Sequence, residues 1–131
     1  MPEPTRPYQL APCPDSPNCV SSLAEDDKHR IEPFILSQTL AAAWPELVDI
    51  VKKQPRTRIV ENQPGYLHTE VRSLIFRFLD HLELSGDVNG YRLDVRSASV
   101  TGYSDLGVNR KRVEALRRAF EAQGLLKPTT D

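Results

Sequence analysis

The chain has 131 residues, 39% hydrophobic and 27% charged, the profile of one folded domain and not of a disordered segment. Its 17 basic and 18 acidic residues leave a net charge of -1, so no overall field draws it to nucleic acid. No apolar run approaches the roughly 20 residues that cross a bilayer, and Met1-Pro2-Glu3-Pro4-Thr5-Arg6-Pro7 lacks the apolar stretch of a signal peptide.

Residues 1–36 hold most of the eleven prolines. Proline fixes φ and removes a backbone donor, so this segment predicts an extended arm. Tyr8, Leu10, Val20, Ile31, Phe34 and Ile35 are expected to pack it onto the domain. Glu25-Asp26-Asp27-Lys28-His29-Arg30 reads as a charged surface loop with His29 solvated. Cys13 and Cys19 are the only cysteines, with five residues between them in a turn-rich loop. They suit a small disulfide ring in an oxidising compartment, or two reduced packing thiols in the cytosol. A zinc site would want a second Cys or His pair nearby. No metal and no cofactor are expected.

Residues 38–53 predict a helix, with Leu40, Trp44, Leu47, Val48 and Val51 on one face. Pro45 either kinks it or sits in the first turn of a helix that begins near Trp44. Strands follow. Thr57–Glu61 is β-branched, and Asn62-Gln63-Pro64-Gly65 is a turn by composition. Tyr66–Ser73 alternates, with Leu67, Thr69 and Val71 on one side. Leu74–Leu84 puts Phe76, Phe78, Asp80, Leu82 and Leu84 on one face, and Ile75, Arg77, Leu79, His81 and Glu83 on the other. Gly86–Gly90 is a hairpin loop, and Tyr91–Ser99 sets Leu93, Val95 and Ser97 against Arg92, Asp94 and Arg96. The short loops imply an antiparallel meander. A last helix from about Asn109 to Gln123 buries Val113, Leu116 and Phe120, with Asn109 as N-cap and Gly124 as stop. Residues 127–131 read as a flexible tail. The expected fold is α+β: a four-stranded antiparallel sheet, two helices on one face, and the arm 1–36 packed on a domain spanning 37–126.

Arg96–Arg110 is the candidate site. A strand, a polar Gly-containing loop and a helix start gather hydroxyls, backbone N–H groups and guanidinium groups there, the chemistry of an anion or polar-ligand site. The candidate residues are Arg72, Asp80, Arg96, Ser97, Ser99, Ser104, Asp105, Asn109 and Arg110. Asp80 interrupts an apolar face, and a carboxylate there needs a guanidinium, a hydroxyl or water. Arg96 and Arg110 are its expected partners. The opposite sheet face, with His68, Glu70, His81 and Glu83, reads as solvated and cross-paired. Arg110-Lys111-Arg112 and Arg117-Arg118 read as a solvated basic helix face. The sheet shows few exposed aromatics, which argues against RNA.

Cys13-Pro14-Asp15-Ser16-Pro17-Asn18-Cys19-Val20-Ser21-Ser22, the strand Phe78–Glu83, and Arg96–Arg112 together resemble the domain-of-unknown-function family 1499. The resemblance runs from about Leu10 to Leu125. The chain departs from the family pattern at His81, where a second Asp is usual, and at Val100, where Arg is usual. The resemblance supports the fold boundaries and the choice of site, and implies no reaction. Many relatives look like bacterial lipoproteins or plastid proteins with a targeting leader.

The sequence thus points to a non-catalytic binding or accessory module, with a small anionic or polar ligand or a protein partner at 96–110. The alternative is a small acid–base enzyme that uses Asp80, His81 or Asp105 with Arg96. As written, the chain reads as cytoplasmic; with a leader removed it would be periplasmic or lumenal.

Overall fold

The computed structural model describes residues 9–74, 77–102 and 104–128. Tyr8 of the arm, Ile75 and Phe76 of the expected 74–84 strand, Tyr103 of the junction, and residues 129–131 of the tail lie outside them. The elements in chain order are β1 Cys19–Ser21, β2 Phe34–Ile35, α1 Leu40–Lys52, β3 Thr57–Gln63, β4 Tyr66–Arg72, β5 Leu79–Ser85, β6 Arg92–Ser99 and α2 Val108–Ala122.

The sheet has six strands rather than the four expected. The meander β3-β4-β5-β6 is present and antiparallel throughout. The two extra strands come from the arm. β1 pairs with β6 through Cys19↔Ala98, Val20↔Ser97 and Ser21↔Arg96, and β2 pairs with the other end of β6 through Phe34↔Leu93 and Ile35↔Arg92. Proline frequency hid them: Pro14, Pro17 and Pro33 flank the pairing residues without interrupting them. β6 is therefore an interior strand, hydrogen-bonded along both edges.

Two further boundaries move. The expected 74–84 strand is ordered as β5 only from Leu79, because Ser73 N–H donates to Phe78 O (2.9 Å) and Phe78 N–H donates to Ser73 Oγ (2.9 Å), closing a loop. Helix α1 begins at Leu40, ahead of Pro45, and Pro45 sits inside it. Its first N–H groups find partners outside the helix: Leu40 N–H donates to Gly90 O (2.8 Å), Ala41 N–H to Val88 O (2.9 Å), and Ala42 N–H to the Thr39 side chain (3.3 Å). Those bonds anchor the helix start, so the donor missing at Pro45 does not end it.

Both helices cover the same face. Leu40, Leu47 and Val51 of α1, and Val113, Leu116 and Phe120 of α2, share one core with Leu67, Val71, Leu82, Leu84, Leu93 and Val95 of the sheet. Val20, Ile31, Phe34 and Leu36 of the arm belong to that core, whereas Ile35 is exposed. Phe34 meets Phe120 edge-on, with ring centroids 5.1 Å apart. β3 carries a bulge between Ile59 and Glu61, which flips its alternation. Asn62 consequently accepts a hydrogen bond from Trp44 Nε1 (3.0 Å).

The opposite face is charged but less solvated than its composition suggests. Arg58 pairs with Glu70 (2.6 Å), and this guanidinium holds the Glu70 carboxyl below the usual carboxylate range. Tyr66 Oη donates to Glu83, His68 and His81 share a hydrogen bond of 2.7 Å, and Asp94 is buried against Ser22 Oγ (2.8 Å) and Arg92. His29, expected in solvent, is also buried. Its ring nitrogens face Asp26 Oδ2 (2.7 Å) and Ser16 O (2.9 Å), tying the charged loop to the 13–19 segment.

Candidate functional site

Alternation along β5 and β6 turns Asp80, Ser97 and Ser99 toward α2. Asp80 lies at the second position of β5, on the inward register of Leu82 and Leu84. Its partner is Arg112, one turn into α2, whose Nη2 donates to Asp80 Oδ2 at 2.7 Å. The other end of that guanidinium, Nη1, donates to Asn109 Oδ1 (2.8 Å) and Ser97 Oγ (3.1 Å). Ser97 Oγ also donates to Asn109 Oδ1, at 2.7 Å.

Asn109 is the hub. Its side-chain amide donates to Asp105 Oδ2 (2.7 Å), Ser99 Oγ (2.9 Å) and Asn18 O (3.2 Å). It is fully buried inside the first turn, so it is not the N-cap that its position suggested. The helix entry is instead held by Asp105, which accepts from Gly107 N–H (2.8 Å) and Asn109 N–H (3.0 Å). Gly107 adopts a left-handed φ of 81° to make that turn. Burial alone would raise the Asp105 carboxyl. The hydrogen bonds from Asn109 and Gly107 outweigh it and hold the group below the usual carboxylate range.

A cavity of about 320 Å³ opens beside this network. Asp80, Ser99, Asp105 and Arg112 form its polar floor. Leu74 and Phe78 from the 73–78 loop, and Leu106 from the 100–107 loop, form its mouth, with Arg56, Ser73, Thr101, Ser104 and Val108 between. Asp80 is 2% exposed, and its Oδ1 has no hydrogen-bond partner among the described residues. Arg56 and Leu106, both lining the cavity, and Arg77, beside Phe78, are the non-glycine residues with positive φ among those described. A second concavity, near Leu40, Trp44 and Pro64, is lined by no ionisable side chain. Among the described residues, no group of three or more His, Cys, Asp or Glu is placed to hold a metal ion.

Of the residues read from the sequence, Asp80, Ser97, Ser99, Asp105 and Asn109 meet in the network, and Ser104 lines the cavity. Arg96 does not join them. It projects to the opposite sheet face, 3.6 Å from Glu83, with Nη2 on Pro12 O (3.4 Å). Arg110 reaches the arm instead, donating to Arg30 O (2.8 Å) and Lys28 O (3.3 Å). Arg72 braces the outside of the 73–78 loop through Arg77 O (3.1 Å). His81 lies on the Arg96 face, so a mechanism joining Asp80 or Asp105 to Arg96 has its groups on opposite sides of the sheet. Two further residues join the network. By its charge Arg112 reads as solvated, whereas the i, i+3 spacing from Asn109 and its position before Val113 place it on the inner edge of the helix. Asn18 sits in the cysteine loop, and its Nδ2 donates to Gly102 O at 2.6 Å. Nothing local in the sequence links it to a segment more than eighty residues away.

Residues 9–120 match the model of the family described as "Protein of unknown function (DUF1499)". The chain belongs to this family. The match spans every element of the cavity, from the cysteine loop through α2. No curated protein and no solved structure matches the chain. Cys13 and Cys19, at the start of the matched region, are joined as a disulfide in the structure, with their Cα atoms 5.7 Å apart. The ring they close carries Asn18 and so abuts the floor of the cavity. Among the described residues, no helix is long and apolar enough to cross a membrane.

Proposed function

We propose that the protein is a non-catalytic binding module whose small polar ligand sits in the cavity between the 73–78 loop, the 100–107 loop and the first turn of α2. The observation that carries this reading is a cavity of about 320 Å³ whose floor is braced by a connected hydrogen-bond network. A braced polar floor beneath an apolar mouth is the usual build of a ligand site. Binding is favoured over proton transfer because the floor's ionisable groups are engaged structurally. Asp80 holds Arg112, Arg112 holds Ser97 and Asn109, and Asp105 holds the helix entry. Withdrawing any of them for chemistry would open the helix junction.

The test is a two-dimensional amide NMR screen of the labelled protein against small anionic, cationic and neutral polar compounds. Binders should shift the amides of Ser73, Leu74, Ser99, Thr101, Asp105 and Leu106 together. Binders whose shifts cluster elsewhere, or turnover of a compound during the titration, would overturn the reading.

A further inference from the structure

The sheet face away from the cavity carries a second cluster of ionisable groups, and at its centre two imidazoles share one proton. We infer that His68 and His81 form a pH switch, independent of the cavity: the pair stays closed with one added proton, opens with the second, and in opening loosens the arm that crosses this face.

The ring contact dictates the first part. His68 Nε2 and His81 Nδ1 are 2.7 Å apart, with ring centroids 4.8 Å apart. A contact that short takes one N–H and one lone pair. An added proton goes to the outer nitrogen of the donor ring and strengthens the bond, because the donor becomes an imidazolium. A second proton has only the accepting nitrogen left, and two N–H groups cannot face each other across 2.7 Å. The doubly charged pair must part. The surrounding charges balance and do not decide this. By register, Arg58 and Glu61 stand on the same face from β3, Tyr66, Glu70 and Arg72 from β4, Glu83 from β5 and Arg96 from β6. Asp94, further along β6, is held by Ser22 and Arg92.

The second part concerns where the freed rings turn. Register sets Glu83 opposite His68 and Glu70 opposite His81, so each imidazolium has a carboxylate across the strand. Both carboxylates are in use, Glu70 by Arg58 (2.6 Å), and Glu83 by Tyr66 Oη (2.5 Å) and Arg96 Nη1 (3.6 Å). The Arg96 contact is the longest of these, and a charged His68 competes for the same carboxylate. Arg96 is also the residue that reaches the arm: its Nη2 donates to Pro12 O (3.4 Å), next to the disulfide-held Cys13. Leu10 is buried outside the main core, as are Cys19 and Ala98 on the outward register of β1 and β6, which lays the start of the arm across this face. Drawing Glu83 toward His68 therefore withdraws the partner that steadies Arg96 under the arm.

The test follows the imidazole nitrogens and backbone amides of the labelled full chain by NMR from about pH 8 to about pH 4.5, across the ordinary histidine value of about 6.5. The pair should take up its two protons in separate steps. The amides of Ala11 and Cys13 should stay in place through the first step and move with the second. Two variants at these half-exposed positions, which keep the fold, separate the roles. His68→Gln removes the ring opposite Glu83 and should abolish the movement of the arm. His81→Gln leaves His68 free to charge alone, so the movement should come at higher pH and with a single proton. Glu83→Gln should keep both proton steps and lose the movement. Uptake of both protons in one step, or arm amides that never move, would overturn the switch. So would a movement that persists in His68→Gln, which would assign it to His29 on Ser16 O of the cysteine ring, and one that keeps its pH in His81→Gln. Loss of all amide dispersion at the same pH in the wild type and His68→Gln, before any second step, would overturn it as well.

Discussion

Asn109 shows how one side chain can define a junction. It accepts from Ser97 and Arg112 and donates to Ser99, Asp105 and Asn18, so it joins β6, the 100–107 loop, the cysteine loop and α2. Removing it leaves several buried polar groups unpaired at once, and their cost falls on the mutant in full. Asn109→Ala should lose about 3 kcal/mol of stability by urea unfolding; a loss within about 0.5 kcal/mol would show that the network contributes little. Asp105 adds a pH signature. Its folded carboxyl lies below its unfolded value, so its contribution is complete above the ordinary aspartate value of about 3.9 and is lost as pH falls through the folded one. The stability gap between the wild type and Asp105→Asn should therefore be widest near neutral pH and should narrow in acid. A gap that stays constant down to about pH 2 would contradict this assignment.

At the scale of elements, the turns that shape the molecule rest on backbone geometry that only glycine meets cheaply. Gly107 has φ 81° and nothing within 4 Å of where a Cβ would stand. Gly107→Ala should cost only the left-handed strain, about 1 kcal/mol. Gly65 closes the β3–β4 hairpin with the same φ, but a Cβ there would stand 2.5 Å from Gly86 O, which in turn accompanies the Gly86 N–H to Gly65 O bond. Gly65→Ala should therefore destabilise markedly more than Gly107→Ala, as read by thermal unfolding of the two variants side by side. Equal costs would mean that the hairpin yields where the structure shows it packed.

For the whole molecule, the arm is the deciding part. It supplies both strands on the outer edge of β6, four core side chains, and the carbonyls that receive Arg110 and Arg117 of α2. Arg117 also lies 4.7 Å above the Phe34 ring. A chain of residues 37–126 should accordingly fail to fold, showing neither cooperative unfolding nor dispersed amide shifts; a cooperative transition would return the arm to an accessory role. The disulfide is a smaller contribution. Closing a ring of this size restrains the unfolded chain by about 2 kcal/mol, so Cys13→Ser with Cys19→Ser should lower stability by that amount and still fold. Because the ring also positions Asn18 against Gly102 and Asn109, the same variant should broaden the amide signals of the 100–107 loop more than those of β3. Uniform broadening would separate the ring from the cavity.

What the sequence determined by itself is whatever is periodic or locally punctuated. Leu67, Thr69 and Val71, Leu93, Val95 and Ser97, and Val113, Leu116 and Phe120 are all buried as their spacing predicts, because burial on one face imposes the period of the element on the chain. Asp80 was legible for the same reason: a carboxylate on an apolar face needs a partner. Which partner it meets was not legible. Arg96, Arg110 and Arg112 are chemically equivalent guanidinium groups, and only the packing of α2 across β5 and β6 brings Arg112 within 2.7 Å while alternation sends Arg96 to the other face. The strands of the arm were hidden likewise, since two or three residues carry no period, and their pairing is decided by β6, some sixty or more positions along the chain. The cavity belongs wholly to the tertiary structure. Its lining comes from three separate stretches, at 56, 73–80 and 99–112, and no local pattern encodes the space left where they converge.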